Sequence, residues 1–225
     1  MRNLICLSAV LFISGLSTAS AADAAPVKKG DKIVFLGDSI TAGASGANGF
    51  ITLIKKQLTE KHPDFGIETV NAGVSGNEVP NLQSRVDKDV VAKTPTIVFI
   101  YIGINDVWHH NEPPKEKFET GLKEVIGKIT KAGARVILCT PTVIGEKKSG
   151  TNPKDTHLDA IADVSRGIAK ELGLPVCDLR KAFVDYLAEK NAADKDKGVL
   201  TADGVHLNGE GNKLVAQEML KALGE

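Results

Sequence analysis

Apolar positions along the chain fall into two alternating patterns. Short continuous runs occur at Ile33–Leu36, Thr96–Ile102 and Val136–Cys139, with a weaker one at Ile67–Val70 and another around Val176. Runs without polar alternation suit strands buried on both faces, as in a parallel sheet. Between them, apolar residues recur at helical spacing. Phe50, Leu53, Ile54 and Leu58 share one face, as do Leu122, Val125, Ile126 and Ile129. Leu158, Ile161, Val164 and Ile168 repeat the pattern, and Leu214, Val215 and Leu220 close it. Strand–helix repetition with short links predicts an α/β fold of about five mostly parallel strands, with helices on both faces. The longest irregular segments, Trp108–Lys115 and Gly145–Asp155, each follow a strand. Ligands of such sheets bind beyond the carboxyl ends of the strands, so these two segments are expected to rim any site.

The first 22 residues have a different layout. Arg2 precedes an apolar stretch from Leu4 to Leu16, and Ala19, Ser20, Ala21 and Ala22 follow. That is the order of a secretory signal peptide: charged start, apolar centre, small-residue cleavage site. The apolar stretch would rise only about 20 Å as a helix, short of a hydrocarbon core of ~30 Å, so a retained anchor is disfavoured. The expected organisation is a signal peptide over 1–22, a tether over 23–30 and one folded domain over 31–225, in a protein exported to the periplasm or secreted.

Composition narrows the partners. The chain carries 28 Lys and Arg against 28 Asp and Glu, a balance that argues against a dedicated nucleic-acid binder. An apolar content of 42% with 25% charged residues excludes disorder and collagen. Cys6 would leave with the signal peptide. Cys139 and Cys177 remain, both within apolar strand sequence, where free buried thiols are expected, with a bridge between adjacent strands as the alternative. No Cys-x-x-Cys spacing suggests a metal site, no dinucleotide fingerprint or P-loop occurs, and no cofactor is called for. The sequence carries no sign of an oligomeric state.

Four polar clusters stand at strand ends or before the last helix. They are Gly37-Asp38-Ser39-Ile40-Thr41, Asn71-Ala72-Gly73-Val74-Ser75-Gly76-Asn77, Gly103-Ile104-Asn105-Asp106 and Asp203-Gly204-Val205-His206-Leu207-Asn208. In this order and setting they resemble the four blocks of the SGNH, or GDSL, hydrolase superfamily. The resemblance covers the chain beyond residue 22. It implies a flavodoxin-like three-layer α/β/α domain and ester hydrolysis by a serine nucleophile. Position by position it implies Ser39, Gly73, Asn105 and His206, with Asp203 as the partner of the histidine.

The chemistry has its own logic. A serine hydroxyl needs a base within hydrogen-bond reach. Ser39 sits where a strand turns into a helix, so its side chain can project from the sheet edge. His206 is the candidate base, and Asp203, three residues earlier, can hold its Nδ1–H and leave Nε2 for the Ser39 proton. An oxyanion hole is expected from the Ser39 and Gly73 N–H groups and the Asn105 amide. Trp108 and His109, in the loop after Asn105, are candidates for the substrate mouth. Asp38 and Asp106 read as turn-holding residues, Asn208 as the cap of the last helix and His62 as a solvent-facing residue at a helix end.

The segments expected to rim Ser39 are small or polar, which favours a short acyl group, acetyl above all, on a sugar or other polar alcohol. Val74, Val143 and Ile144 are candidates to shelter that short chain. A lysophospholipase or thioesterase-type lipase of the same superfamily is the alternative. A metal-dependent phosphohydrolase using Asp38, Asp106 and Asp203 is the rival from another class, and a non-catalytic binding module ranks below it.

Overall fold

The computed structural model describes residues 26–225. The expected signal peptide therefore lies outside the described residues. Of the expected tether, Val27 is buried in the core and Gly30 donates to Phe65 O at 2.7 Å. The packed domain thus begins a few residues ahead of the first strand.

Five strands form one parallel sheet: β1 (Lys32–Gly37), β2 (Glu68–Gly73), β3 (Ile97–Tyr101), β4 (Arg135–Cys139) and β5 (Val176–Cys177). Their order is β2-β1-β3-β4-β5, so the chain reverses direction across the sheet between β1 and β3. Every strand predicted from an apolar run is present. β3 is buried along its whole length, which is why its sequence shows no alternation.

The helices are α1 (Ser39–Ala42), α2 (Phe50–Lys61), α3 (Val79–Asp89), α4 (Ile104–Trp108), α5 (Lys115–Lys131), α6 (Asp155–Leu172), α7 (Leu179–Lys190) and α8 (Gly209–Leu223). α2 packs on α8 and α7 touches α8 on one side of the sheet, while α3, α5 and α6 pack in sequence on the other. Successive strand residues point to opposite faces. Phe35 and Phe99, side by side on β1 and β3, stack with ring centroids 5.3 Å apart and meet Phe50 of α2 at 6.1 Å from Phe35. The architecture is the expected three-layer α/β/α arrangement.

The predicted helical faces occur as α2, α5, α6 and α8. α3 carries Val79, Leu82 and Val86 inward, and Glu78 caps it in a box with Asn81. α7 buries Leu179, Phe183 and Leu187, together with Arg180, whose charge broke the apolar signal. Asn208 caps α8 as expected, accepting from the Glu210 and Gly211 N–H groups.

Candidate active site

Ser39 is the first residue of α1, separated from the end of β1 by Asp38 alone. Asp38 caps that short helix, its Oδ1 accepting from Ile40 N–H at 2.9 Å. Ser39 Oγ lies 3.0 Å from His206 Nε2. On the other side of the ring, His206 Nδ1 lies 2.7 Å from Asp203 Oδ2. Asp203 Oδ1 accepts from the backbone N–H groups of Val205 at 3.0 Å and His206 at 2.8 Å. The intervening Gly204 has φ +102°, a conformation L side chains rarely adopt, and this tight turn brings carboxylate and imidazole together. Partial desolvation works to raise the Asp203 pKa. The hydrogen bonds from the His206 ring and the two backbone N–H groups outweigh it and hold the group at about 2. The carboxylate is thus ionised wherever the imidazole needs to be stabilised as a cation.

Asn105 stands in the first turn of α4, buried, and one hydrogen of its side-chain amide goes to Asn77 O at 3.0 Å. Its second amide hydrogen has no partner among the described residues. The Ser39 N–H, at the start of α1, precedes any intrahelical partner. Gly73 requires a correction. Its N–H donates to Asn71 Oδ1 at 2.9 Å, so it is already engaged. A Cβ there would collide with the Thr41–Ala42 backbone, so the glycine serves close packing of α1 on β2. Three residues on, Gly76 (φ +76°) has open space around it, and its N–H makes no hydrogen bond within the described residues. It adjoins Asn77, whose carbonyl holds the Asn105 amide. The sequence signal was present, since both glycines lie in one cluster, but only the backbone hydrogen bonds distinguish them.

Two carboxyl groups lie beneath this surface. Asp38 Oδ2 and Asp106 Oδ2 are buried and without a protein partner. Burial raises Asp38 to about 6, against the lowering effect of the Ile40 N–H and the nearby His206. Burial likewise raises Asp106 to about 7; the Val79 N–H lowers it, while the charges of Glu78 and Asp38 add to the rise. Asp106 is not a local turn residue as expected: its Oδ1 accepts from Val79 N–H at 3.1 Å and so joins α4 to the start of α3. Asp203 is committed to His206. No group of three His, Cys, Asp or Glu among the described residues is arranged to hold a metal ion.

Trp108 is 50% exposed. It lines an open groove of about 380 Å³ with Ile144, Lys147, Asn152, Pro153 and the Asp203–Val205 turn. Both irregular segments singled out by sequence therefore rim one groove beside the Asp203–Val205 turn. Val143 does not line it and belongs to a separate cavity of about 520 Å³ between the 145–155 segment and α7. His109 is not in the groove either. Its Nδ1 lies 2.8 Å from Glu78 Oε1, and His110 Nε2 lies 3.0 Å from Glu78 Oε2. Partial burial tends to raise the Glu78 pKa, but the two imidazoles together lower it. His62, expected to face solvent, is half-buried: it stacks on Phe65 and bonds Glu225 Oε2 at 2.9 Å.

The family model of the GDSL-like lipase/acylhydrolase family matches residues 35–214. The chain belongs to this family. As a GDSL hydrolase it is a carboxylic ester hydrolase, and its relatives share both sequence and fold. It is 31% identical to an acetylxylan esterase of Geobacillus stearothermophilus over 88% of this chain and 96% of that protein. An arylesterase of Vibrio mimicus is 27% identical, with 96% and 98% covered. The solved structure of the acetyl xylan esterase AlAXEase is 38% identical, with a TM-score of 0.82 over 85% of this chain and 99% of the other.

Proposed function

We propose that this GDSL hydrolase is an exported esterase that removes short acyl groups, acetyl above all, from an acylated carbohydrate through an acyl-enzyme on Ser39. The observation that carries the reading is the continuous relay Ser39 Oγ–His206–Asp203, with links of 3.0 and 2.7 Å. His206 Nε2 takes the Ser39 proton as Oγ attacks the ester carbonyl, and Asp203 stabilises the imidazolium that forms. The tetrahedral oxyanion is received by the Ser39 N–H and the free Asn105 amide hydrogen. Gly76 N–H replaces Gly73 as the third donor. Each such donor supplies roughly 3–4 kcal/mol at the transition state. His206 then protonates the departing alcohol, and a water activated by the same nitrogen releases the acid.

The substrate class rests on the groove and on kinship. Trp108 offers a flat apolar face beside Lys147, Thr151, Asn152 and Asp196, a combination suited to stacking on a sugar ring while its hydroxyls meet polar groups. Ile144, Pro153 and Val205 are too few aliphatic side chains to make the groove a long apolar channel. Two of the relatives, the Geobacillus stearothermophilus protein and AlAXEase, are acetylxylan esterases, and an acetylated glycan outside the cell matches the signal-peptide layout of residues 1–22.

A fluorophosphonate probe should label Ser39, and Ser39→Ala should lose several orders of magnitude in kcat while folding normally. Label on another residue, or an active alanine variant, overturns the mechanism. The substrate is tested by kcat/KM across acetyl, butyryl and octanoyl p-nitrophenyl esters, with acetate release from acetylated xylan beside them. A rise of roughly tenfold from acetyl to octanoyl would instead indicate burial of the added methylenes and a lipase or thioesterase role.

A further inference from the structure

Glu146 is fully buried in the segment between β4 and α6, outside the four clusters that marked the site. Its carboxylate accepts from three successive backbone N–H groups. Val199 donates to Oε2 at 2.7 Å, Leu200 to Oε1 at 2.7 Å, and Thr201 also to Oε1. These residues open the loop that carries Asp203 and His206. The main chain of the same segment adds two bonds to that loop: Gly145 N–H to Gly204 O at 2.8 Å and Glu146 N–H to Asp196 O at 3.0 Å. Behind it, Asn191 Nδ2 donates to Glu146 O at 2.6 Å and to Lys195 O at 2.8 Å.

The loop needs such an anchor. The side chains of His206 and Asp203 are 52% and 56% exposed, so no wall of packed neighbours fixes them. The 201–207 turn is bonded within itself, through Gly204 N–H to Thr201 Oγ1, Ala202 N–H to His206 O and the Thr201–Leu207 bridge. Those bonds shape the turn but do not aim it at Ser39, which rides on α1. A fully buried carboxylate is unfavourable unless charge-assisted bonds compensate it. Here all those bonds go to the backbone leading into the catalytic turn.

We propose that Glu146 is a positioning residue, whose carboxylate fixes the 199–201 backbone so that the following turn presents His206 Nε2 to Ser39 Oγ. The proposal rests on the Ser39–His206–Asp203 mechanism above. Glu146→Gln keeps the shape but sets an amide N–H against a backbone N–H. Its kcat on p-nitrophenyl acetate should fall roughly 10–100-fold, the scale set by an ångström of misplacement. KM should stay within about twofold, because p-nitrophenyl acetate carries no sugar to fill the groove beside Trp108. The rate of fluorophosphonate labelling at Ser39 should fall in parallel, since it reads the nucleophile–base alignment without a bound alcohol group. Should Glu146→Gln fail to accumulate as folded protein, Asn191→Ala loosens Glu146 through its carbonyl. It should show the same signature, a lowered kcat and labelling rate at constant KM. A folded variant with kcat and labelling rate like the wild type overturns the proposal, as does a loss that only tracks the unfolded fraction. Ser39→Ala measured alongside separates the two readings. An active alanine variant sinks the mechanism itself, whereas an inactive one beside a fully active Glu146→Gln sinks only the positioning role.

Discussion

At the scale of single residues, the buried acids carry the clearest consequence. A carboxyl whose folded pKa is raised favours the protonated native state. Its contribution to stability is therefore fully present below the unfolded value and is lost as pH rises toward the folded one. For Asp106 the window runs from 3.8 to about 7, a change on the order of 4 kcal/mol. Asp106→Asn retains an acceptor for the Val79 N–H and removes the titration. The variant should gain stability over the wild type at pH 8 and lose that advantage at pH 4. Thermal unfolding at the two pH values measures this, and an equal difference at both would contradict the burial argument. Asp203 has the opposite sign, with stability lost only as pH falls from 3.8 to about 2. Ser39, His206 and Asp203, singled out in the sequence because few side chains can serve as nucleophile and base, stand in one hydrogen-bonded line in the fold. Gly73 was misread because a glycine has no chemistry of its own: whether its N–H is free depends on what Asn71 does.

At the scale of elements, the strand ends are held together by Arg85 of α3. Its Nε donates to Asn77 Oδ1 at 2.7 Å, Nη1 to Ala72 O at 2.8 Å and Nη2 to Gly37 O at 2.9 Å. One guanidinium thus joins the end of β1, the end of β2 and the turn that supports Asn105. Arg85→Ala would take this donor from Asn77 Oδ1 and Ala72 O and leave Gly37 O with the Val74 N–H alone, at about 1–3 kcal/mol for each acceptor left bare that water does not reach. Urea denaturation should show a loss of roughly 2–4 kcal/mol with an unchanged m-value; a loss below 1 kcal/mol would mean water replaces the side chain. The helix that supplies Arg85 was missed in the sequence. Its inward positions, Val79, Leu82 and Val86, are sparse, and its polar face dominates the count. Strands of the buried sheet were easier to read, because burial on both faces leaves no room for polar interruption.

At the scale of the molecule, the sheet is one cooperative core, and its two thiols report on it. Cys139 and Cys177 are register partners on β4 and β5, free and almost fully buried. A thiol reagent should reach them only through opening of the core, on the slow timescale of global unfolding. Two thiols should titrate in denaturant without reductant in the chain that starts at residue 23. Rapid reaction in the native state, or fewer than two thiols, would refute the described packing. By itself the sequence determined the layers, the parallel sheet and the residue types of the relay, because hydrophobic periodicity and nucleophile chemistry are local properties of the chain. Tertiary structure alone decided three things: that Gly76 rather than Gly73 has a free N–H, that His109 turns to Glu78, and that Glu146 reaches the loop of Asp203 and His206. Each depends on a particular hydrogen bond: Asn71 Oδ1 to the Gly73 N–H, His109 Nδ1 to Glu78 Oε1 across 31 positions, and the Glu146 carboxylate to the Thr201 N–H across 55. No periodicity or spacing in the sequence encodes such a partner, because backbone N–H groups are alike at every residue until the fold decides which are left unpaired.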